Sequence, residues 1–99
     1  MMSIPDDAFA GKGDKRINLT VFGPDGKHSA NASCLLMAMN DTGDNTFGNT
    51  LTVGNGGNAG VFVPGTSTSA IAMCNNFGDT GTTIVELIKH TTKLHVHLI

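Results

Sequence analysis

The stretch that decides the fold class is Lys93-Leu-His-Val-His-Leu-Ile99, at the end of the sequence. Apolar and polar side chains alternate there, which is the period-two pattern of a β-strand with one buried face. The same alternation runs from Ile17 to Phe22, and Gly23-Pro-Asp-Gly26 then predicts a turn. Both stretches therefore predict β-strands, one near each end of the sequence.

The composition agrees with a small β-domain. Of the 99 residues, 34 are Gly, Thr or Asn, and only 14% are charged. Gly and Asn favour turns, whereas Thr favours strands. No apolar run approaches the ~20 residues of a membrane-spanning helix. The length predicts a single β domain over residues 15–99, preceded by an extended N-terminal arm over residues 1–14.

Two segments between these ends are compatible with either a helix or a strand. Ala32–Met39 is almost continuously apolar, but Leu, Met and Ala also favour helices. In Thr82–His90, Thr83 and Glu86 have the spacing of a capping box, whereas a run of β-branched residues favours a strand. Strands are the preferred interpretation of both segments. The turn spacing then predicts an all-β protein, a small antiparallel sandwich or barrel of about seven short strands.

The pair His95 and His97 is the sharpest chemical feature of the sequence. Side chains two residues apart on a strand project from the same face, so two imidazoles can grip one metal ion. A third ligand would have to come from His28, His90 or Glu86. The alternative is that both histidines belong to the exposed polar face of the last strand.

Cys34 and Cys74 lie in the two most apolar stretches. Buried free thiols are the preferred interpretation, because a reducing compartment disfavours disulfides. The alternative is a disulfide between two strands that face each other across a sandwich. The first residues, Met1–Asp7, contain no basic region followed by an apolar one. This predicts synthesis in the cytoplasm without a signal peptide, with release outside the secretory pathway or incorporation into a virion as the alternatives.

No motif in the sequence indicates an enzyme or a bound cofactor. Gly54–Gly60 resembles a phosphate-binding loop but lacks the Lys-Ser/Thr that follows one, and no Gly-x-Ser-x-Gly occurs. Asn40–Asn45 offers several oxygens, yet such a loop is more often a turn than a calcium site. The few basic residues lie near the two ends, which disfavours nucleic acid as a partner.

The outward apolar side chains carry the functional hypothesis. Phe22, Phe62 and Ile99 fall on the strand faces opposite the predicted core, and exposed apolar residues mark contact surfaces. The sequence therefore predicts a non-enzymatic, self-associating structural subunit of a homo-oligomer, shell or filament, with a virion coat or decoration protein as one form. The alternative is a lectin-like or membrane-surface module that binds glycan or lipid. A metal-binding protein built on His95 and His97 is the third hypothesis.

Overall fold

The computed structural model describes residues 14–27, 31–54 and 56–99. These residues form seven β-strands and no helix. The strands are β1 (Lys15–Phe22), β2 (Ala32–Met39), β3 (Asn45–Val53), β4 (Asn58–Val63), β5 (Ser69–Asn76), β6 (Asp79–Glu86) and β7 (Thr91–His97). Strands are thus found in both segments that were compatible with a helix. The predicted N-terminal arm lies outside the described residues except for residue 14.

The strands form two sheets, with the orders β4-β1-β7 and β3-β2-β5-β6. The predicted all-β sandwich is confirmed. The prediction of wholly antiparallel pairing is wrong for one pair, because β1 and β7 run parallel, with Leu19 opposite Leu94. These are the first and last strands, so the whole intervening chain serves as their connection and no crossover helix is needed.

One hydrophobic core fills the space between the sheets. Alternate residues of each strand point into it, as the period of two predicted for β1 and β7 requires. The three-stranded sheet contributes Ile17, Leu19, Val21, Val63, Leu94 and Val96, each at most 1% exposed. The other sheet contributes mainly smaller side chains, namely Ala32, Cys34, Leu36, Ala38, Val53, Ala70, Ala72 and Cys74. Large side chains on one sheet thus pack against small ones on the other.

The two cysteines form a disulfide, which differs from the preferred interpretation of free thiols. Cys34 on β2 and Cys74 on β5 lie directly opposite each other, with their Cα atoms 4.0 Å apart. Their strands are neighbours in one sheet rather than partners across the sandwich. The sequence placed both cysteines in core strands, but the pairing depends on the register of β2 against β5, which spacing alone does not set.

The β6–β7 side of the sandwich is joined by backbone hydrogen bonds. Ile99 N–H donates to the Thr80 carbonyl at 3.0 Å, and Thr80 N–H donates to the Ile99 carbonyl at 3.3 Å. Gly81 makes this approach feasible, because a Cβ there would overlap the carbonyl oxygen of His97. The end of the chain is therefore bonded to β6.

Candidate functional site

His95 and His97 lie on the outer face of the three-stranded sheet, as the spacing predicted. Both are exposed, and both contact Phe22 on β1. The His97 ring stacks on the Phe22 ring with centroids 4.6 Å apart and planes 9° apart. The His95 ring meets Phe22 edge-on at 5.4 Å. Both imidazoles therefore contact the Phe22 ring, a contact that the sequence pattern did not predict.

The described part of the chain does not provide these histidines with a third ligand. Within it, no group of three or more His, Cys, Asp or Glu side chains is placed to hold a metal ion. His90 precedes the first residue of β7, whereas His97 is its last residue, and Glu86 ends β6 far from Thr80, the residue bonded to the segment that follows His97. His28 lies outside the described residues. The metal hypothesis stays a prediction that rests on two imidazoles alone.

The predicted contact residues Phe22 and Phe62 face outward but are half-buried. The Arg16 guanidinium lies 5.1 Å from the centre of the Phe62 ring, within range of a cation–π interaction. Its Nε donates to Asn18 Oδ1 at 2.8 Å. Arg16 also crosses directly over Gly60, where a side chain would block it. Neighbouring side chains therefore cover much of both phenyl rings.

Ile99, the third predicted contact residue, is 89% exposed. It belongs to a larger group that the sequence pattern did not predict. Phe77 is fully exposed, Ile88 is 80% exposed and Ile84 is 68% exposed. We call these four residues the β6 surface. Ile84 lies on β6, Phe77 and Ile88 lie just beyond its two ends, and Ile99 belongs to the segment that is hydrogen-bonded to it.

A sequence signal existed for two of these residues. Ile84 is flanked by exposed Thr82 and Glu86 at a spacing of two, which is the pattern of an outward face. Phe77-Gly78 separates two strands by the two residues of a tight hairpin.

A cleft of about 400 Å³ opens where β6 ends and β7 begins. Its lining residues are Glu86, Ile88, Lys89, Thr91, Thr92 and Lys93. The segment beneath it is fixed to the body of the domain, since Leu87 is buried and its N–H donates to the Thr68 carbonyl at 2.9 Å. Lys15 Nζ donates to the Leu87 carbonyl at 2.8 Å. The backbone beneath the cleft is therefore held in place, and its lining includes the apolar Ile88 and the basic Lys89 and Lys93.

The Asn40–Asn45 loop uses its oxygens within the turn. Asn40 Oδ1 accepts hydrogen bonds from Thr42 N–H at 3.1 Å and from Asp44 N–H at 2.9 Å. Thr42 Oγ1 donates to the same oxygen at 2.8 Å. These are the local side-chain-to-backbone bonds by which Asn stabilises a turn. The loop is accounted for as a turn.

Comparison with known proteins shows a shared fold only. No protein family matches the sequence, and no curated protein is significantly similar to it. A crystal structure described as that of S.CueP superposes with a TM-score of 0.57 at 9% sequence identity. The match covers 87% of this chain and 63% of that one, so the chain spans less than two thirds of its length. None of the described residues forms a helix long and apolar enough to cross a membrane.

Proposed function

We propose that this protein is a non-enzymatic structural subunit that associates with copies of itself through the β6 surface. The observation that supports the proposal is the placement of the exposed large hydrophobic side chains. In the described residues these are Leu35, Phe77, Ile84, Ile88 and Ile99, and all but Leu35 belong to the β6 surface. Single exposed apolar residues are ordinary, but Ile84 on an edge strand, with three more at its two ends and on the segment bonded to it, is a concentration typical of a contact surface.

The position of β6 supports association at this surface. It is an edge strand of the four-stranded sheet. The bonds to Ile99 protect only its first half, since they reach Thr80. Edge strands with exposed apolar side chains pair readily with another chain. The second half of β6, from Thr82 to Glu86, has no such bond to Ile99 and leads into the cleft beside Ile88, so we expect a second copy to contact this end of β6.

The buried disulfide supports a working location outside a reducing compartment. Cys34 is fully buried and Cys74 is 3% exposed. Structural disulfides persist on virion and cell surfaces and in secreted proteins, whereas cytosolic proteins seldom keep them. A subunit of an extracellular assembly such as a virion agrees with this feature. Cytoplasmic synthesis stays a prediction from the first residues.

The test is the solution mass measured by light scattering over a hundredfold range of protein concentration. We expect the wild-type protein to form a multimer that dissociates on dilution. The double variant Ile84→Thr/Ile88→Thr keeps β-branched side chains on the β6 surface but removes apolar area. We expect it to remain monomeric at concentrations where the wild type associates.

The matched control is His95→Thr/His97→Thr, which changes two exposed residues on the outer face of the other sheet. It should associate as the wild type does. A wild-type protein that is monomeric throughout the range would overturn the proposed function. Equal association of both double variants would leave self-association standing but exclude the β6 surface.

A further inference from the structure

Phe77 occupies a backbone position that does not suit it. Asn76 pairs with Asp79, so Phe77 and Gly78 alone form the turn between β5 and β6. Their φ angles are +49° and +95°, both in the left-handed region. Hairpin turns of this kind favour Asn, Asp or Gly, because a bulky side chain is crowded there. Phe77 is the one non-glycine residue with a positive φ in the described ranges.

The Phe77 side chain is also fully exposed. A large aromatic residue in water contributes no burial to its own fold, and its backbone conformation costs stability. A residue that is unfavourable on both counts points to a use outside its own chain. Buried aromatic side chains are common anchors of protein interfaces.

The cleft beside Ile88 lies at the other end of β6. The eight residues of β6 separate the Phe77 turn from the cleft by about 26 Å, at ~3.3 Å per residue. One molecule cannot place its own Phe77 in its own cleft at that separation. A second copy can, and the two contacting surfaces are then different ones. Such a contact repeats from copy to copy into a ring or a filament.

The chemistry of the two ends is complementary. Phe77 carries the apolar ring, and Asp79 two residues later carries a carboxylate. The residues lining the cleft include the apolar Ile88, the basic Lys89 and Lys93 and the single acidic Glu86. A phenyl ring is attracted by ammonium groups near its face, and Asp79 is attracted by the same lysines. The cleft volume of about 400 Å³ is ample for one ring.

We propose that Phe77 of one copy inserts into the Ile88–Lys89–Lys93 cleft of the next, joining subunits head to tail. This inference rests on the proposed self-association and adds which two parts of the β6 surface meet. Phe77 is the anchor of the contact, and Asp79 orients it through the lysines. The strained turn keeps a single large ring projecting at the tip.

The first test is Phe77→Asn, with Phe77→Tyr as its control. Asn suits the left-handed position, so the variant should unfold at a temperature no lower than the wild type. Its self-association should weaken by roughly thirtyfold or more, as expected for loss of a central aromatic anchor. Phe77→Tyr should associate as the wild type does. A merely structural role for Phe77 predicts the opposite, a less stable protein that still associates.

The second test is Ile88→Asp, which leaves the turn intact and replaces the apolar side chain of the cleft with a carboxylate that disfavours a phenyl ring. Alone, each variant should be monomeric. Mixed, the intact Phe77 of the Ile88→Asp protein meets the intact cleft of the Phe77→Asn protein, so the mixture should give one-to-one dimers and nothing larger. Association of Ile88→Asp alone, or a mixture that stays monomeric, overturns the head-to-tail contact.

The wild type separates this inference from the proposed function. If the wild type associates and Phe77→Asn associates equally, only the head-to-tail contact is wrong. If the wild type is monomeric at every concentration, both proposals are wrong. Phe77-dependent binding of that monomer to phosphatidylcholine–phosphatidylserine vesicles would then assign the ring to a lipid surface instead.

Discussion

The outer face of the three-stranded sheet and the β6 surface present apolar side chains in different ways. On the first, Phe22 lies against His97 and His95, and Phe62 lies near the Arg16 guanidinium. On the second, Ile84 and Ile88 are 68% and 80% exposed. Both sets point outward from their sheets. The difference is the cover provided by neighbouring side chains.

This contrast separates two properties that are easily confused. The parity of a residue on a strand decides whether it faces the core or the outside. Whether an outward side chain is bare depends on the strands beside it. Phe22 on the central strand β1 contacts the histidines of β7, and Phe62 on the edge strand β4 is covered by Arg16 of β1, whereas Ile84 on the edge strand β6 stays exposed. A contact surface is therefore expected where both conditions hold.

The largest effect on stability is expected from removing the disulfide that links β2 and β5, two neighbouring strands of the sheet that contains β6. Cys34→Ala/Cys74→Ala opens a loop with a sequence separation of 40. The free energy of unfolding should fall by about 4 kcal/mol, since the bond restricts the unfolded chain. Urea unfolding measures the loss, and treating the wild type with a thiol reductant is the independent comparison. An unchanged midpoint in both would show that the bond contributes nothing to stability.

Gly81→Ala should have the next largest effect on stability, because it disrupts the close backbone contact between β6 and the residues after β7. The new Cβ would overlap the His97 carbonyl oxygen and lie 2.9 Å from its carbonyl carbon. Because the backbone cannot move away as a side chain can, we expect the free energy of unfolding to fall by about 1–3 kcal/mol, as in other overpacking changes. Thermal unfolding measures it. Amide exchange at Thr80 and Ile99 should quicken as the two segments separate.

A smaller effect is expected from uncovering Phe22. His97→Ala removes a ring stacked at 4.6 Å and should cost about 0.5–1.5 kcal/mol. The control is Lys93→Ala, on the same face of β7 but opposite Asn18. If the two losses are equal, the ring contact is not what stabilises this face. Self-association should be unchanged by His97→Ala, since the β6 surface is intact.

The sequence predicted the sandwich because alternation in β1 and β7 is a local property of adjacent residues. It also placed Phe22, Phe62, His95 and His97 correctly on outward faces. It did not predict their contacts, which depend on strand pairing. Phe22 meets the two histidines through the parallel β1–β7 pair, and Phe62 meets Arg16 through the antiparallel β1–β4 pair. Likewise, the exposure of Ile84 depends on β6 being an edge strand, and strand order is a long-range property that periodicity does not encode.

The smallest effect on stability is expected from Gly60→Ala. The new Cβ is as close to its neighbour as in Gly81→Ala, but the neighbour is a side chain rather than backbone. Its Cβ would overlap the Arg16 guanidinium and lie 2.9 Å from Arg16 Cζ. A long side chain can swing away, so the free energy of unfolding should change by less than about 0.5 kcal/mol. Phe62 should lose the cover of the Arg16 guanidinium, and the NMR chemical shifts of its ring protons should change. A loss as large as that of Gly81→Ala would mean that Arg16 is held as firmly as backbone, and that the covered face is as rigid as the core.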